Sequence, residues 1–306
     1  MNADRTTALK WGVEQRLEFI EFRLFWEGGV NRADIIDMFA VSVPQASKDL
    51  TLYQERAPKN AIYDKSAKRY VAGPKFSPKF LKPDPDSYLS RLRSLAEEIS
   101  GPVESWIAKP PMVDIALTPR REVDLGVLRA VLDAVRENKS LEVHYQSMSK
   151  ARPDPIWRRI TPHAFGFDGF RWHVRAFCHL NERFKDFLLP RILGVREMGL
   201  PESTGDRDVL WQDFFELQIA PHPDLAASQQ AVVAKDYGMV DGRVVLNVRY
   251  AMLFYVLKRL GLLGDAAQQD PRTQHIVAVN APEVETALRR LEFEIDEGNS
   301  TPAGAA

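Results

Sequence analysis

The chain has 306 residues, 45% hydrophobic and 27% charged, with a formal net charge of -1. That is enough chain for two or three domains with cores of their own, and it excludes a disordered or fibrous protein. One cysteine, Cys178, excludes an intramolecular disulfide framework. No apolar run approaches the roughly 18 residues of a membrane span. The start, MNADRTTALKWGVEQRLEF, lacks the basic-then-apolar order of a secretion signal. The expectation is a soluble cytoplasmic protein.

In chain order, residues 9–27 carry Val13, Leu17, Ile20 and Leu24 at helical spacing, which predicts an amphipathic helix stopped by Gly28-Gly29. In NRADIIDMFA, Asn31 is a cap with Asp34 three residues on, and Ile35, Ile36 and Phe39 face inward. In SVPQASKDLTLYQER, Ser42 and Gln45 form a capping box, and Pro44 sits where a missing N–H does no harm. Ala46, Leu50 and Tyr53 form its inward stripe. AIYDKSAKRYVAG then predicts two short strands about the turn Lys65-Ser66-Ala67-Lys68. Three short helices and a basic hairpin make a winged helix-turn-helix.

From Val41 to Lys82 there are nine basic side chains against three acidic ones. In a helix-turn-helix the second helix enters the major groove. Its outward face here holds Pro44, Lys48, Thr51 and Glu55, flanked by Gln45 and Ser47. Gln bonds adenine bidentately, Ser serves several bases, and Lys serves guanine or phosphate. Lys65, Lys68 and Arg69 on the wing reach phosphates or the minor groove, and Asn31 and Arg32 are candidate phosphate clamps. The candidate duplex-DNA set is therefore Asn31, Arg32, Ser42, Gln45, Ser47, Lys48, Thr51, Lys65, Lys68 and Arg69. The alternative is a winged helix used for protein contacts.

The Pro/Lys-rich run 74–86 ends this domain, a helix is expected over 86–99, and 101–114 is a Pro-rich connector. A further helix spans 123–140. The period then changes: LEVHYQSM, WRRITPHAFGFDGF, RWHVRAFC and FKDFLLPRILGVRE are β-like runs between turns, which suggests a small barrel. Between Leu141 and Arg196 ten basic side chains meet five acidic ones. Within GFRWHVRAFCHL, alternation puts Phe170, Trp172, Val174 and Ala176 on one face, with Trp172 in the core. Arg171, His173 and Arg175 share the other face, Arg171 as a solvated side chain. From Pro201 onward the balance turns acidic, nine against sixteen. FFELQIA, QQAVVAKDYG, VVLNVRY, AMLFYVLKRLG, IVAVN and APEVETALRRLEFEI read as a small α+β module, with Glu283, Glu285, Glu292 and Glu294 on a solvated face and a frayed end EGNSTPAGAA.

The segment LEVHYQSM…RRITPHAFGFDGFRWHVRAFC…FKDFLLPRILGV resembles a WYL domain, an Sm/SH3-like small β-barrel. The family's Trp-Tyr-Leu triplet stands here as Trp172-His173-Val174. Tyr145 ends the first strand, Arg159-Ile160-Thr161-Pro162 supplies an Arg-x-x-Pro, and Arg191 precedes Ile192. Winged helix, WYL barrel and α+β extension in that order resemble bacterial WYL-type transcriptional regulators. HYQSM and ITPHAFGFDGFRWHVRAFC look closest to the phage-defence-associated CapW and BrxR type.

The resemblance implies a multidomain α+β chain: a winged helix-turn-helix over 1–85, a helical linker over 86–122, an effector-sensing WYL domain over 123–200, and a dimerisation extension over 201–306. It implies a homodimeric repressor of a phage-defence operon. The repressor would be released when the barrel binds an anionic ligand, single-stranded DNA or a nucleotide. Tyr145, Ser147, Arg159, His173, Arg175 and Arg191 are the implied ligand set, and Trp172 also matches the motif. His173 departs from the family's Tyr and brings a group that titrates near neutrality. Independently, Arg forks match phosphate and Tyr145 can stack a base. The alternative function is a nucleic-acid-binding accessory protein acting directly in defence, without a promoter. The six histidines show no metal-ligand spacing, and there is no phosphate-binding Gly loop or nucleophile elbow, so neither cofactor nor catalysis is expected.

Overall fold

The computed structural model describes residues 11–97, 106–116, 118–119, 121–148 and 153–296, with side chains up to Leu291. The tail expected to fray, 297–306, and part of the connector, 101–105, lie outside the described residues. The chain divides into two compact units, Met1–Leu117 and Thr118–Ala306.

In the first unit, α1 (Trp11–Trp26) buries Leu17, Phe19, Ile20 and Leu24 against α2 (Arg32–Phe39) and α3 (Val43–Arg56). Gly29 ends the first helix where no side chain fits, because a Cβ there would collide with the Tyr70 carbonyl. Val30 then pairs with Tyr70. The wing is β1 (Ala61–Asp64) paired antiparallel with β2 (Arg69–Ala72). Its tip is fixed by Asp64, whose Oδ1 accepts from Ser66 N (2.8 Å) and Ala67 N (3.1 Å). A fourth helix, α4 (Pro85–Ala96), is capped by Asp84 and packs on α1 through Leu92 and Phe22.

At the centre of this unit lies a carboxylate that the sequence pattern did not single out. Glu21 is fully buried in α1. It accepts from Tyr53 Oη (3.0 Å), Asn60 Nδ2 (3.2 Å) and the backbone N–H groups of Lys79, Phe80 and Leu81. One side chain thus ties α1 to α3 and to the strap that follows the wing.

The second unit begins with α5 (Leu125–Arg136). An antiparallel sheet follows, ordered β6-β5-β4-β3-β7, from β3 (Ser140–Tyr145), β4 (Ile156–Phe167), β5 (Trp172–Cys178), β6 (Arg183–Leu188) and β7 (Ile192–Gly199). Register shifts near Leu141, His144 and Pro162 bend it as a small barrel requires. Val127 and Val131 of α5 pack on Leu141, Val143, Ile160, Val174 and Ala176. The run FKDFLLPRILGVRE is two strands, because a single 3-10 turn, Leu189–Arg191, interrupts it at Pro190, which has no N–H for a ladder. Trp172 does not enter the core. It is 52% exposed beside Phe167 at the β4–β5 tip, beyond the residues that α5 covers.

The C-terminal module comprises the short helix α6 (Val209–Gln212), β8 (Phe214–Pro221), α7 (Ala227–Asp236), β9 (Val244–Arg249), α8 (Tyr250–Leu260), β10 (Ile276–Ala278) and α9 (Ala281–Asp296). Its sheet runs β10-β8-β9 over a core of Leu217, Ile219, Leu253 and Leu257. Among the described residues no helix is long and apolar enough to cross a membrane.

Candidate DNA-binding face and ligand site

Ala46, Leu50 and Tyr53 turn α3 inward, which leaves Pro44, Lys48, Thr51 and Glu55 exposed on one face. Ser42 caps the helix, accepting from Gln45 N at 3.4 Å. The expected capping box is only half formed. The Gln45 carboxamide points down the helix and donates to Asp49 Oδ1 (2.9 Å), itself held by Arg16 Nε (2.7 Å). Ser47 and Thr51 hydroxyls donate to the carbonyls of Val43 and Ser47, which leaves their lone pairs outward. Lys65 and Lys68 project from the wing into solvent. Arg69 is folded back, with its guanidinium on the Gly29 carbonyl. Asn31 caps α2 reciprocally with Asp34 (3.1 and 2.7 Å), and Arg32 beside it is exposed.

Together α2, α3 and the wing frame a groove lined by Asn31, Arg32, Val43, Ser47, Thr51, Tyr63, Lys68 and Tyr70. Tyr63 and Tyr70, with rings 5.1 Å apart, were missed from sequence. The two are paired across the hairpin and share one of its faces, but nothing local says that this face folds against α3.

Among the described residues, the implied ligand set is spread over both sides of the WYL sheet. His173 and Arg175 share a face of β5, as alternation predicts, but that face is covered. They are only 3% and 5% exposed. Arg175 donates from Nε (2.7 Å) and Nη2 (3.0 Å) to the two oxygens of Asp208 and from Nη1 to Asp186 (3.3 Å). Asp208 also meets His163 Nε2 (3.0 Å) and accepts from Trp211 N. Tyr255 of α8 donates to Asp186 (3.0 Å) and lies against the His173 ring. The anion held by the cationic row is therefore supplied by the protein itself. Burial opposes the charge of Arg175, but Asp208 and Asp186 outweigh it and hold its pKa up. Burial likewise opposes ionisation of Asp208, and His163 and Arg175 outweigh it.

Tyr145 lies on the other side of the sheet, buried, its ring edge-on to Phe187 and its hydroxyl accepting from Leu188 N (3.2 Å). This geometry replaces the expected base-stacking surface with a core contact. Arg158, overlooked in the sequence because Arg159 carries the motif, sits over that ring and is 7% exposed with an unpartnered Nε. Arg159 instead faces outward, 3.3 Å from Ser140 Oγ and 3.6 Å from Glu197. Arg191 and Ser147 lie at the β3 end, where Gln146 N bonds the Arg191 carbonyl (3.0 Å). Among the described residues no carboxylate pairs with Arg191, which is half-buried.

Asp168, in the β4–β5 turn, accepts from Phe170 N, Arg171 N and Arg171 Nε and meets His173 Nε2 at 3.1 Å. Arg171, expected to be solvated, is thus half-buried in this turn. Burial raises the Asp168 pKa, but these bonds win and hold the carboxyl well below the usual range. A depressed carboxylate pKa adds stability that is complete above the unfolded value, about 4, and is lost as pH falls through the folded value. Asp168→Asn is therefore expected to lower Tm at pH 7, with the gap from wild type closing below about pH 4. Thermal unfolding across pH 2–7 measures it, and a gap independent of pH contradicts it.

Residues 12–94 match the BrxR transcriptional regulator winged helix-turn-helix domain, and 126–197 match the WYL domain. Residues 214–284 match the BrxR transcriptional regulator C-terminal dimerization domain. A DNA-binding transcriptional repressor CapW of Stenotrophomonas maltophilia is 40% identical over 94% of this chain and 96% of its own. The chain belongs to the CapW family. CapW repressors of Escherichia coli and Pseudomonas aeruginosa are 37% and 35% identical, each over 92% of this chain and 93% of its own. The PafBC proteasome accessory factor of Arthrobacter aurescens aligns at 16% identity with a TM-score of 0.27, and this chain spans 48% of its length. Membership of the CapW family thus rests on sequence along the whole chain. The WYL match begins on α5, and the dimerization match begins at β8, six residues after Asp208.

Proposed function

We propose that this CapW-family chain is a homodimeric transcriptional repressor that grips an operator with α3 and the wing. A phosphate-bearing nucleic acid or nucleotide sensed by the WYL module releases it. The operator set is the one named from sequence, with Lys48, Thr51, Lys65, Lys68 and Arg32 as the most accessible members and Arg69 as a brace for the wing. The observation that carries the proposal is the exposed basic face of α3 and wing in a chain that also contains a matched dimerization domain. Two such faces related by a dimer axis suit a palindromic site. Control of a phage-defence operon in the cytoplasm rests on the resemblance to the defence-associated type. Among the ligand set, Arg191 and Ser147 meet the ligand, while His173 and Arg175 join the sheet to the C-terminal module.

A mobility shift on the DNA upstream of the protein's own gene, at fixed salt, tests this. Selective binding a thousandfold or more above random duplex, released by short single strands, is the expected result. Weak, unselective binding to every duplex would favour an accessory protein without a promoter. Lys65→Ala with Lys68→Ala is expected to weaken binding to all duplexes and reduce the salt slope by about 0.9 for each phosphate no longer neutralised. An unchanged slope removes the wing from the interface.

A further inference from the structure

A second basic groove lies where the β4–β5 turn meets the last turn of α8. It is lined by Asp168, Gly169, Phe170, Arg171, Tyr255, Lys258 and Arg259, and has a volume of about 350 Å³, within the range of small-ligand sites, roughly 300–1,000 Å³. None of Lys258, Arg259 and Arg121 pairs with a carboxylate among the described residues. The Arg121 guanidinium sits 4.7 Å from the centre of the Phe170 ring. Gly169 has φ +89, a turn conformation that favours glycine, and the Arg259 guanidinium lies against it. The single acid, Asp168, cannot neutralise these cations, because both its oxygens are taken by the turn's own N–H groups, Arg171 and His173. Cations in the last turn of a helix also suit its dipole. That accounts for Lys258 and Arg259, but not for a third cation, Arg121, brought onto the Phe170 ring from before α5.

We propose that this groove binds a phosphate group of a nucleotide or of a short single strand, held by Arg259, Lys258 and Arg121. The groove is a second contact, separate from Arg191 and Ser147, and the inference rests on the effector reading for the ligand's class. The groove also has an outlet into the protein. Tyr255 lines it and bonds Asp186, which shares Arg175 with Asp208. A phosphate here touches the same tyrosine that fastens α8 to the WYL sheet, so occupancy acts on the joint between sensing sheet and C-terminal module.

The test is direct binding without operator DNA, using the full chain. The probes are thymidine 5′-monophosphate by calorimetry and a fluorescent 5′-phosphorylated thymidine tetranucleotide by anisotropy. The expected result is saturable binding of at least one probe, weakened tenfold or more in Lys258→Ala/Arg259→Ala and in Arg121→Ala. Thermal unfolding of each variant monitors the fold. Binding of the nucleotide alone identifies a mononucleotide ligand, and binding of the tetranucleotide alone identifies a strand. No binding of either probe to wild type overturns the groove, as does binding that these variants leave unchanged. Binding that the variants lose, but that never releases operator DNA, upholds the groove and overturns the effector role.

Discussion

Arg175→Ala is expected to cost about 3–5 kcal/mol of stability in the second unit, because it strands the buried Asp208 carboxylate and unpairs the half-buried Asp186. Asp208 loses a bidentate partner at 2.7 and 3.0 Å, and Asp186 loses one donor while keeping the Tyr255 hydroxyl. Asp208 cannot reach bulk water and keeps His163 beside it at 3.0 Å, whereas Asp186 is partly exposed and can be hydrated. Tm should fall by on the order of 10 °C. Asp208→Ala is expected to do comparable harm, since it leaves the Arg175 guanidinium buried with Asp186 alone. The double variant Arg175→Met/Asp208→Leu should recover much of the loss, because an apolar pair of similar volume replaces a buried ion pair at little cost. Denaturant unfolding of the three variants separates this from a ligand role. If Arg175→Ala kept its stability and lost only the response to ligand, the seam would be a binding site after all.

Glu21→Ala is expected to destabilise the winged helix by about 3–5 kcal/mol, since the lost carboxylate leaves several buried donors unmet. Among the described residues the backbone N–H groups of Lys79, Phe80 and Leu81 have no other acceptor, Tyr53 loses the acceptor of its hydroxyl, and Asn60 keeps the Ser77 carbonyl. Glu21→Gln should also be costly, since its amide would turn a donor toward donors. Glu14→Ala, on the exposed side of the same helix, should stay within about 0.5 kcal/mol. Operator affinity should fall with the fold, because Tyr53 belongs to α3 and Asn60 precedes the wing. Thermal unfolding and mobility shift on the same samples measure both. A stable Glu21→Ala protein would mean that the strap after the wing is not fixed by this carboxylate.

The first unit was largely legible in the sequence, because local signals agree with the global fold. Asn31 and Ser42 cap the helices they were expected to cap. Leu17, Ile20, Ala46, Leu50 and Tyr53 are buried as their spacing predicts. Gln45 shows the limit. Its position in the helix was readable, but its partner Asp49 was one of two equally good local choices, and Arg16, thirty-three residues from Asp49, decided between them.

The cationic face of β5 was legible in the sequence, but what lies over it was not. Alternation along β5 correctly separated His173 and Arg175 from Val174 and Ala176. It could not say what lies over each face. A strand with a cationic face looks the same in sequence whether water, a ligand or another module covers it. Here Asp208, thirty-three residues downstream, and Tyr255, on α8, cover it.

The amino-acid sequence by itself determined the order of modules, the caps and inward stripes of the DNA-binding helices, the basic character of two segments and the acidic character of the third. All of these depend on periodicity, composition and neighbours within a turn or two. Only the tertiary structure decided which charges remain free. Arg175 and Arg171 are spent on internal carboxylates, while Lys258 and Arg259 line one groove and Arg121 lies over the ring of Phe170, which lines it too. The physical reason is that charge pairing within a few ångströms is set by contacts between elements far apart in the chain, and no local pattern records those contacts.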